Sequence, residues 1–551
     1  MTLATNLRRW AGRSPEDAAA QPLLAGYRRS SPRLLRYVLL TLLAIACVAY
    51  GVTFGTVAPA RMMPFTVPLA LLFGLILWCL PSGGYAPIRA IEPLFLAFFA
   101  SLLLWPNYLA VAVGNLPWMT VLRLTGIPLV TVFLACISIS KTFRSELSNI
   151  LRADKVMTQL MLALVGLWTF SLLLSRDPGM SINHYILTQL NLTAIFFVSC
   201  FVFSRNGFAN FWVRALLAIL AFICILGIWE SRIQHLPWAG HIPSFLKVDD
   251  PRVQKLLTPK VSLNMIYRVK VTSTTPLGLA ELLGLSMPFA IHFMLGNYKL
   301  VMRVAMALFI PLSFTVILFT DSRLGVVSAF ASGLFYVLVW AILMWRQQRN
   351  SLIAPAIVLS YPALFAGFMV ATFLVPPLRY KFWGRGSQQA STQGRIDQWE
   401  HGIPKIITHP FGHGIGQGSP ALGWSTPGGT ITIDSYWLSI LLELGFLGFF
   451  VFYGLMLRAA FVATRTAVTL RGMAETTLLL PMSVSLVTFV IVKLVFSQES
   501  NHPLIFMILG AVMALTYRAR KNAERQAEAA PVVEAAPKAR SARDLIAVSR
   551  R

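Results

Sequence analysis

Residues 376–448 read PPLRYKFWGRGSQQASTQGRIDQWEHGIPKIITHPFGHGIGQGSPALGWSTPGGTITIDSYWLSILLELGFLG. The part before Tyr436 is the longest polar segment between apolar runs, and it is rich in Gly, Pro, Arg, His and Trp. Loops longer than about 15 residues without regular structure are usually functional or disordered. The aromatic residues and histidines argue against disorder. We therefore expect the functional site to lie in this segment.

The composition indicates that lipid surrounds the rest of the chain. Hydrophobic residues make up 56% of the 551 residues and charged residues only 12%, whereas soluble domains carry about 25% charge. Repeated apolar runs of 18 or more residues predict membrane-spanning helices. The sequence thus predicts an all-α, polytopic integral membrane protein with about 12–14 transmembrane helices and a large, partly helical periplasmic loop. The predicted spans are 37–57, 63–81, 92–113, 116–138, 157–175, 185–204, 214–230, 276–297, 302–320, 324–345, 353–376, 436–456, 477–497 and 504–517.

These spans divide the chain into seven regions. The predicted regions are a cytoplasmic basic tail (1–36), N-terminal transmembrane helices (37–230), a first long periplasmic loop (231–275), central transmembrane helices (276–376), a large periplasmic catalytic loop (377–435), C-terminal transmembrane helices (436–517) and a disordered basic cytoplasmic tail (518–551).

The basic residues of the short loops set the orientation. Lys and Arg are enriched in cytoplasmic loops, and every short loop with two or more of them falls on the side of the N-terminus. Both termini are therefore predicted to be cytoplasmic. Most of the net charge of +26 is explained by this topology, so no nucleic-acid partner is expected. The five cysteines lie in apolar runs without metal-binding spacing, and neither a cofactor nor a metal is expected.

The two long outer loops are basic as well. Residues 231–275 hold seven basic residues against Asp249 and Asp250. Long loops cross the membrane largely regardless of charge, so this basicity favours an anionic ligand. Contact with anionic lipid headgroups is the alternative.

Two arginines on this side are candidate anion ligands. Arg323 lies in FTDSRLG, at a hairpin between two spans, where Asp321 and Ser322 can hold its guanidinium; the alternative is an arginine that reaches the headgroups. Arg395 begins the helical pattern that continues through Trp399. We expect Arg395 in the first turn, where free backbone N–H groups would add to an anion site. A solvated helix face is the alternative.

Two further residues are candidates for acid–base chemistry. His413 lies among the glycines of HPFGHGIGQG, which let the backbone bend tightly, although a structural histidine is the alternative. Asp434 lies at the outer mouth of a span, where it either acts chemically or caps the helix. Glu443 is costly inside an apolar helix and is expected to have a partner.

The end of the segment resembles the bacterial O-antigen ligases and the O-antigen or exopolysaccharide polymerases. Those ligases carry H-[NSQ]-x9-G-x-x-G at the end of a large periplasmic loop. Here Asp434 and Ser435 precede nine residues and then Gly445-Phe-Leu-Gly448. The spacing and the glycines match, and aspartate replaces histidine.

Other elements of the resemblance follow in the same order. The R-x-x-x-bulky element of the family is similar to Arg395 through Trp399, and its arginine at an outer hairpin is similar to Arg323. Residues 410–416 resemble the P-x-G-x-G element. Arg268, ahead of TSTTP, resembles a recurrent family position.

The resemblance implies a metal-independent, inverting glycosyltransferase of the bacterial inner membrane. Its donor would be a glycan on undecaprenyl diphosphate, bound from the outer face, and its acceptor another lipid-linked glycan or lipid A-core. Other polysaccharide-assembly proteins are implied as partners. In these roles Arg268, Arg323 and Arg395 bind the diphosphate and Asp434 is the general base. The supporting residues are Asp321, Ser322, Trp399, His413 and Ser435.

Three functions remain as alternatives. The aspartate in place of the ligase histidine favours a polysaccharide polymerase over an O-antigen ligase. A lipid-linked oligosaccharide flippase is the rival from another class, and it requires charged residues at mid-depth and pseudo-repeated halves. The concentration of arginines at one surface favours the enzyme.

Overall fold

The computed structural model describes most of the chain after residue 85. The described residues are 73–77, 86–111, 119–248, 251–261, 266–347, 352–376, 387–425, 431–470 and 474–529, with residues 45, 80, 350, 379 and 429. The predicted basic tail 1–36 lies outside them, as do the predicted spans 37–57 and 63–81 apart from residues 45, 73–77 and 80.

The described part is a bundle of helices. Apolar runs become helices because the bilayer core offers no water to the backbone, so each N–H and C=O must be satisfied within its own segment. The helices are α1 (Ile88–Leu104), α2 (Val121–Ile139), α3 (Lys141–Leu151), α4 (Lys155–Ser171), α5 (Pro178–Thr188), α6 (Ala194–Val202), α7 (Phe208–Ile233), α8 (Pro251–Leu257), α9 (Pro276–Leu295), α10 (Leu300–Phe319), α11 (Arg323–Gln347), α12 (Ile353–Leu374), α13 (Ser387–Thr408), α14 (Gly418–Leu422), α15 (Tyr436–Thr469), α16 (Leu479–Val492) and α17 (His502–Ala529).

Small elements connect some of these helices. A π turn at Gln189–Thr193 joins α5 to α6 into one span, Pro178–Val202. A two-stranded antiparallel pair, β1 (Ala110–Val111) and β2 (Met119–Thr120), follows α1. The short 3-10 helices are Leu172–Leu174, Ser244–Leu246 and Ala474–Leu478.

The predicted fold class is confirmed. Eleven helices among the described residues are long and apolar enough to cross a membrane. The predicted span 92–113 differs, since α1 ends at Leu104, before Pro106, and the chain continues into β1. A proline removes a backbone donor and disfavours a helical conformation for the residue before it.

Three helices form the centre of the bundle. In α9 and α17, 89% of the most apolar window is buried, and in the span that contains α16 the share is 83%. α9 packs against α7, α10, α11 and α16. By contrast, only 6% of the corresponding window of α12 is buried, and α12 packs mainly on α11. α12 is thus a peripheral helix that presents its surface to lipid.

The polar connections that carry the candidate residues meet at one end of the bundle, here called the site end. Among the described residues it comprises 171–177, 234–248, 251–261, 266–275, 320–322, 387–425, 431–435 and 493–501. Three backbone contacts join these segments. The Val269 amide donates to Phe319 O (3.0 Å), and the Tyr436 amide donates to Lys493 O (3.0 Å). The Ile415 amide donates to Ser171 Oγ (3.2 Å).

Ion pairs tie helices together at the opposite end. Arg458 of α15 pairs with Asp154, which caps α4, at 2.6 Å. Arg518 of α17 pairs with Glu475 at 2.6 Å. These two pairs therefore join α15 to α4 and α17 to the short 3-10 helix before α16.

The last helix extends past its predicted boundary at residue 517. The sequence places a disordered tail at 518–551, but α17 continues to Ala529. Residues 518–529 read RARKNAERQAEA, and Ala, Arg, Lys, Glu and Gln have high helix propensity. Charge and polarity alone misplace the boundary, because this polar stretch favours a helix that continues the apolar one before it.

Candidate functional site

Asp434 lies just before α15 and does not cap it. Ser435 is the N-cap, with its Oγ accepting from the Leu438 amide at 3.4 Å. The alternative that Asp434 is merely the capping residue is therefore wrong. The Asp434 amide donates instead to Gln398 Oε1 at 2.9 Å.

Gln398 links Asp434 to α13. It is buried, and it lies three residues after Arg395, on the same face of the helix. Trp399 of the same helix packs against a small apolar cluster of Ile406, Leu422, Ile433, Leu438 and Leu442. This cluster docks α13 onto the start of α15, and it assigns Trp399 a packing role that positions Arg395 beside Asp434.

The helical position of Arg395 differs from the prediction. α13 begins at Ser387, so Arg395 lies eight residues further along, well past the first turn. The polar run SQQASTQG is helical too, and the amides near Arg395 are engaged within the helix. The expectation that Arg395 lies in the first turn, beside free N–H groups, is therefore wrong. Its Nε is buried without a hydrogen-bond partner among the described residues.

Arg323 is the first residue of α11, directly after a tight turn. Ser322 is buried and its Oγ accepts from the Gly325 amide at 3.0 Å, which starts the helix. Asp321 adopts a left-handed conformation with φ 47°, a conformation that aspartate tolerates better than most residues. The turn therefore presents Asp321 and Arg323 side by side.

Arg268 reaches the same turn from the other long loop. Its Nε donates to Thr320 O at 2.9 Å, and its amide donates to Lys260 O at 2.8 Å. Burial lowers the pKa of the Arg268 guanidinium, and the Asp321 carboxylate opposes this effect. Asp321 thus lies between two arginines that are distant in sequence.

Pairwise electrostatic interactions link five residues in the order Arg268, Asp321, Arg323, Arg395 and Asp434. We call this group the charge row. Arg395 and Arg323 lie within electrostatic range and repel each other. Burial raises the pKa of the Asp434 carboxyl, and the positive charge of Arg395 partly offsets this. Two neighbouring arginines that repel each other favour an anion as ligand.

Gly445 explains why the glycine after the nine-residue spacer matters. It interrupts α15 with φ 68° and ψ −167°, which is accessible mainly to glycine. The break frees backbone groups that bind the loop after α13: the Phe446 amide donates to Pro410 O (3.1 Å), and the Gly414 amide donates to Glu443 O (3.0 Å). The two glycine-containing elements are therefore docked on each other.

His413 lies apart from the charge row. Its amide and its Nδ1 both lie against Leu442 O, at 2.7 and 3.0 Å. Its ring lies 4.4 Å from that of His409. Together with Arg176 and Lys405, these histidines line a cavity of about 330 Å³. Burial lowers the pKa of His413, and the neighbouring positive charges act in the same direction. The structure does not bring His413 into the charge row.

Some buried polar residues at the site end were not predicted from the sequence. Lys493 and Glu281 form a fully buried ion pair at 2.9 Å, and the carbonyl of Lys493 accepts from the amide of Tyr436, next to Asp434 and Ser435. An ionisable residue inside an apolar span is the available signal. Glu443 has the partners that the sequence predicts, since its Oε1 accepts from Ser439 Oγ (3.1 Å) and the Gly418 amide (3.3 Å).

Comparison with known proteins finds a match for the part of the chain that carries most of this site. The family model described as O-Antigen ligase matches residues 307–453. Residues 307–453 are thus similar to the O-antigen ligases. The matched region begins within α10 and ends within α15, so it includes Arg323, Arg395 and Asp434, while Arg268 precedes it. No curated protein matches the chain. The family points to membrane glycan processing of the O-antigen ligase or polymerase type.

Proposed function

We propose that this protein is a polysaccharide polymerase that transfers glycan from an undecaprenyl-diphosphate-linked donor at the periplasmic face of the bacterial inner membrane. The observation that carries the proposal is the charge row. A half-buried carboxylate, Asp434, lies beside Arg395, and Arg395 lies near Arg323. A base and an anion-binding surface are thus adjacent, as glycosyl transfer from a diphosphate requires.

The arginines suit a diphosphate leaving group. A guanidinium presents a planar fork of donors that matches two phosphate oxygens. Arg268 uses its Nε on Thr320 O, which fixes the plane of the group, and Arg395 keeps a buried Nε without a partner among the described residues. Donors fixed in advance stabilise charge where it develops in the transition state.

The reaction follows from these positions. The acceptor hydroxyl oxygen attacks the anomeric carbon of the donor while its proton moves to the Asp434 carboxylate. The bond between the anomeric carbon and the diphosphate breaks, and its electron pair remains on the diphosphate beside the arginines. Direct displacement inverts the anomeric configuration. Burial of Asp434 makes its carboxylate a stronger base, and Arg395 keeps it ionised.

The proposed topology places the site end in the periplasm and both termini in the cytoplasm. The enrichment of Lys and Arg in the short loops of the opposite end supports it. Cysteine-accessibility labelling from outside intact cells should reach positions 268, 323, 395 and 434. Labelling of any of them only from the cytoplasmic side would contradict the proposal.

A transfer assay with purified protein separates the candidate functions. With the lipid-linked glycan as both donor and acceptor, a polymerase yields products of increasing length, whereas an O-antigen ligase yields product only when lipid A-core is added. A flippase moves the donor across vesicles without forming a bond. Polymer formation that persists in a metal chelator is expected, and loss of activity restored by a divalent cation would contradict the mechanism.

A further inference from the structure

A second group of basic side chains lies away from the charge row. The cavity of about 330 Å³ is lined by Arg176, Lys405, His409 and His413, together with Thr408, Gln417, Pro420 and Ala421. No carboxylate is among these lining residues. The cavity lies beside the turn before α5, the end of α13 and the glycine loop, residues 409–417. The wall of the cavity holds no negative charge that could pair with its basic side chains.

The basic side chains at the cavity differ in the hydrogen bonds that they make. Lys405 Nζ donates to Ala421 O (2.9 Å) and Leu422 O (2.6 Å), which leaves one of its three N–H groups. His413 Nδ1 donates to Leu442 O, so Nε2 is an acceptor in the neutral ring that burial favours. Among the described residues, no hydrogen bond or ion pair is seen for Arg176. Lys405 and Arg176 therefore keep unused donor capacity at the cavity.

An apolar cavity adjoins the cationic one. Its volume is about 140 Å³, and it is lined by Leu167, Phe170, Ser171, Phe411, Leu444 and Leu447. The same two stretches of chain, residues 167–176 and 409–413, contribute to both cavities. Phe170, Phe411 and Leu447 are exposed, on spans and a loop that border the bilayer. The apolar cavity therefore lies beside lipid.

We propose that the two cavities form a binding site for one anionic phospholipid of the adjacent leaflet. The phosphate lies in the cationic cavity and the first methylenes of an acyl chain lie along the apolar one. Basic pockets between membrane helices bind anionic headgroups in this way, and the guanidinium of Arg176 matches a phosphate. A free anion would leave the apolar cavity without an occupant.

This site is distinct from the charge row and does not depend on the proposed function. Lys405 follows Arg395 by ten residues in α13, which corresponds to roughly 15 Å along the axis. The phospholipid contacts the glycine loop that is docked at the break in α15. Binding therefore stabilises the docked loop without supplying a reacting group.

Native mass spectrometry of the full-length protein tests the proposal. Delipidated protein in a mild detergent is titrated with phosphatidylglycerol and with phosphatidylcholine of the same acyl chains. We expect one phosphatidylglycerol to be retained in preference to phosphatidylcholine. Arg176→Gln should weaken its binding about 10-fold or more, since a hydrogen bond to a charged group is lost.

Two control variants test whether the loss of phosphatidylglycerol binding is specific to the cavity. Arg232 is an exposed arginine in the last turn of α7, also at the site end, and Arg232→Gln should leave phosphatidylglycerol binding unchanged. Arg395→Gln should leave it unchanged as well, which separates this site from the proposed diphosphate site. Because Arg176 is exposed, its substitution should not prevent folding, and the thermal unfolding midpoint without lipid checks this.

Three outcomes would overturn the proposal. One is equal retention of the two phospholipids by the unmodified protein. Another is phosphatidylglycerol binding that survives Arg176→Gln. The third is displacement of phosphatidylglycerol by a single-chain polyprenyl phosphate at equal concentration, which would assign the site to a different lipid. None of these outcomes bears on glycan transfer, which is measured separately.

Discussion

The Phe446 amide donates a hydrogen bond to the carbonyl of Pro410, 3.1 Å away, across the break in α15 at Gly445. A regular helix would direct that amide to a carbonyl four residues earlier in its own chain. The break instead lets α15 bind the loop that follows α13. The nine-residue spacer thus separates two functional positions: Asp434 lies at the start of the helix, and Gly445 holds the loop in place.

We expect Asp434→Asn to reduce glycan transfer by roughly 10²–10⁴-fold, because an amide cannot accept the acceptor's proton. The measurement is the transfer rate of purified protein at equal concentration. Asp397→Asn is the matched control, since Asp397 lies on α13 and its Oδ1 accepts from Gln393 at 2.8 Å; it should remain active. Near-normal transfer by Asp434→Asn would remove Asp434 from the mechanism.

Ser435→Ala separates capping from catalysis. The substitution removes the N-cap of α15 and should lower the free energy of unfolding by about 1 kcal/mol while most of the transfer activity remains. The checks are thermal unfolding in detergent and the transfer rate. A catalytic loss as large as that of Asp434→Asn would show that the helix start, and not the carboxylate, limits the reaction.

Arg395→Ala and Arg323→Ala should each nearly abolish transfer while the protein still inserts into the membrane. Arg395→Lys should restore little activity, because an ammonium lacks the planar fork. Arg232→Gln serves as control for a lost positive charge at the same end. Full activity of Arg395→Lys would indicate that a general positive potential suffices, contrary to the two-oxygen contact proposed for the diphosphate.

Gly445→Ala should destabilise the protein by about 1–3 kcal/mol or more and reduce transfer, because the backbone region at φ 68° and ψ −167° is essentially restricted to glycine. A Cβ there would also lie 2.0 Å from Pro410 O. Gly454, further along α15, has nothing within 4 Å of such a Cβ, and Gly454→Ala should be neutral or stabilising. Equal thermal unfolding midpoints for the two variants would contradict the docking role of Gly445.

The pH dependence of transfer should report the raised pKa of Asp434. Activity should fall as the pH falls through this pKa, above the ordinary aspartate range near 3.9. Stability changes in the opposite sense: the contribution from a carboxyl with a raised pKa is present below its unfolded-state pKa and is lost as the pH rises through the folded-state value. Asp434→Asn should therefore raise the thermal unfolding midpoint at neutral pH, with the gain vanishing in acid.

Most spans after residue 116 were predictable from sequence because lipid leaves the backbone few options and apolar runs become helices. The position of Arg323, Arg395 and Asp434 at one end of the bundle was predictable because the hairpin and the motif spacing place polar groups there. The start of α13 was not, because SQQASTQG lacks an apolar period and Gly394 weakens the helical pattern.

Other features depend on contacts between distant parts of the chain. The separation of His413 from Asp434 depends on the loop folding back onto residues 442–446, which in turn depends on the backbone angles of Gly445. The cationic cavity needs Arg176, more than 200 residues before Lys405. No local pattern encodes these distances.

The buried pair of Lys493 and Glu281 constrains how this protein can diverge. Loss of either partner would leave an uncompensated charge inside the bundle, which is strongly destabilising, whereas replacing both by well-packed apolar residues is often tolerated. The two positions are strongly coupled, and single-residue changes pass through an unstable intermediate. The backbone carbonyl of residue 493 accepts from the Tyr436 amide, so a local rearrangement caused by an unpaired charge there would reach the start of α15 beside Asp434.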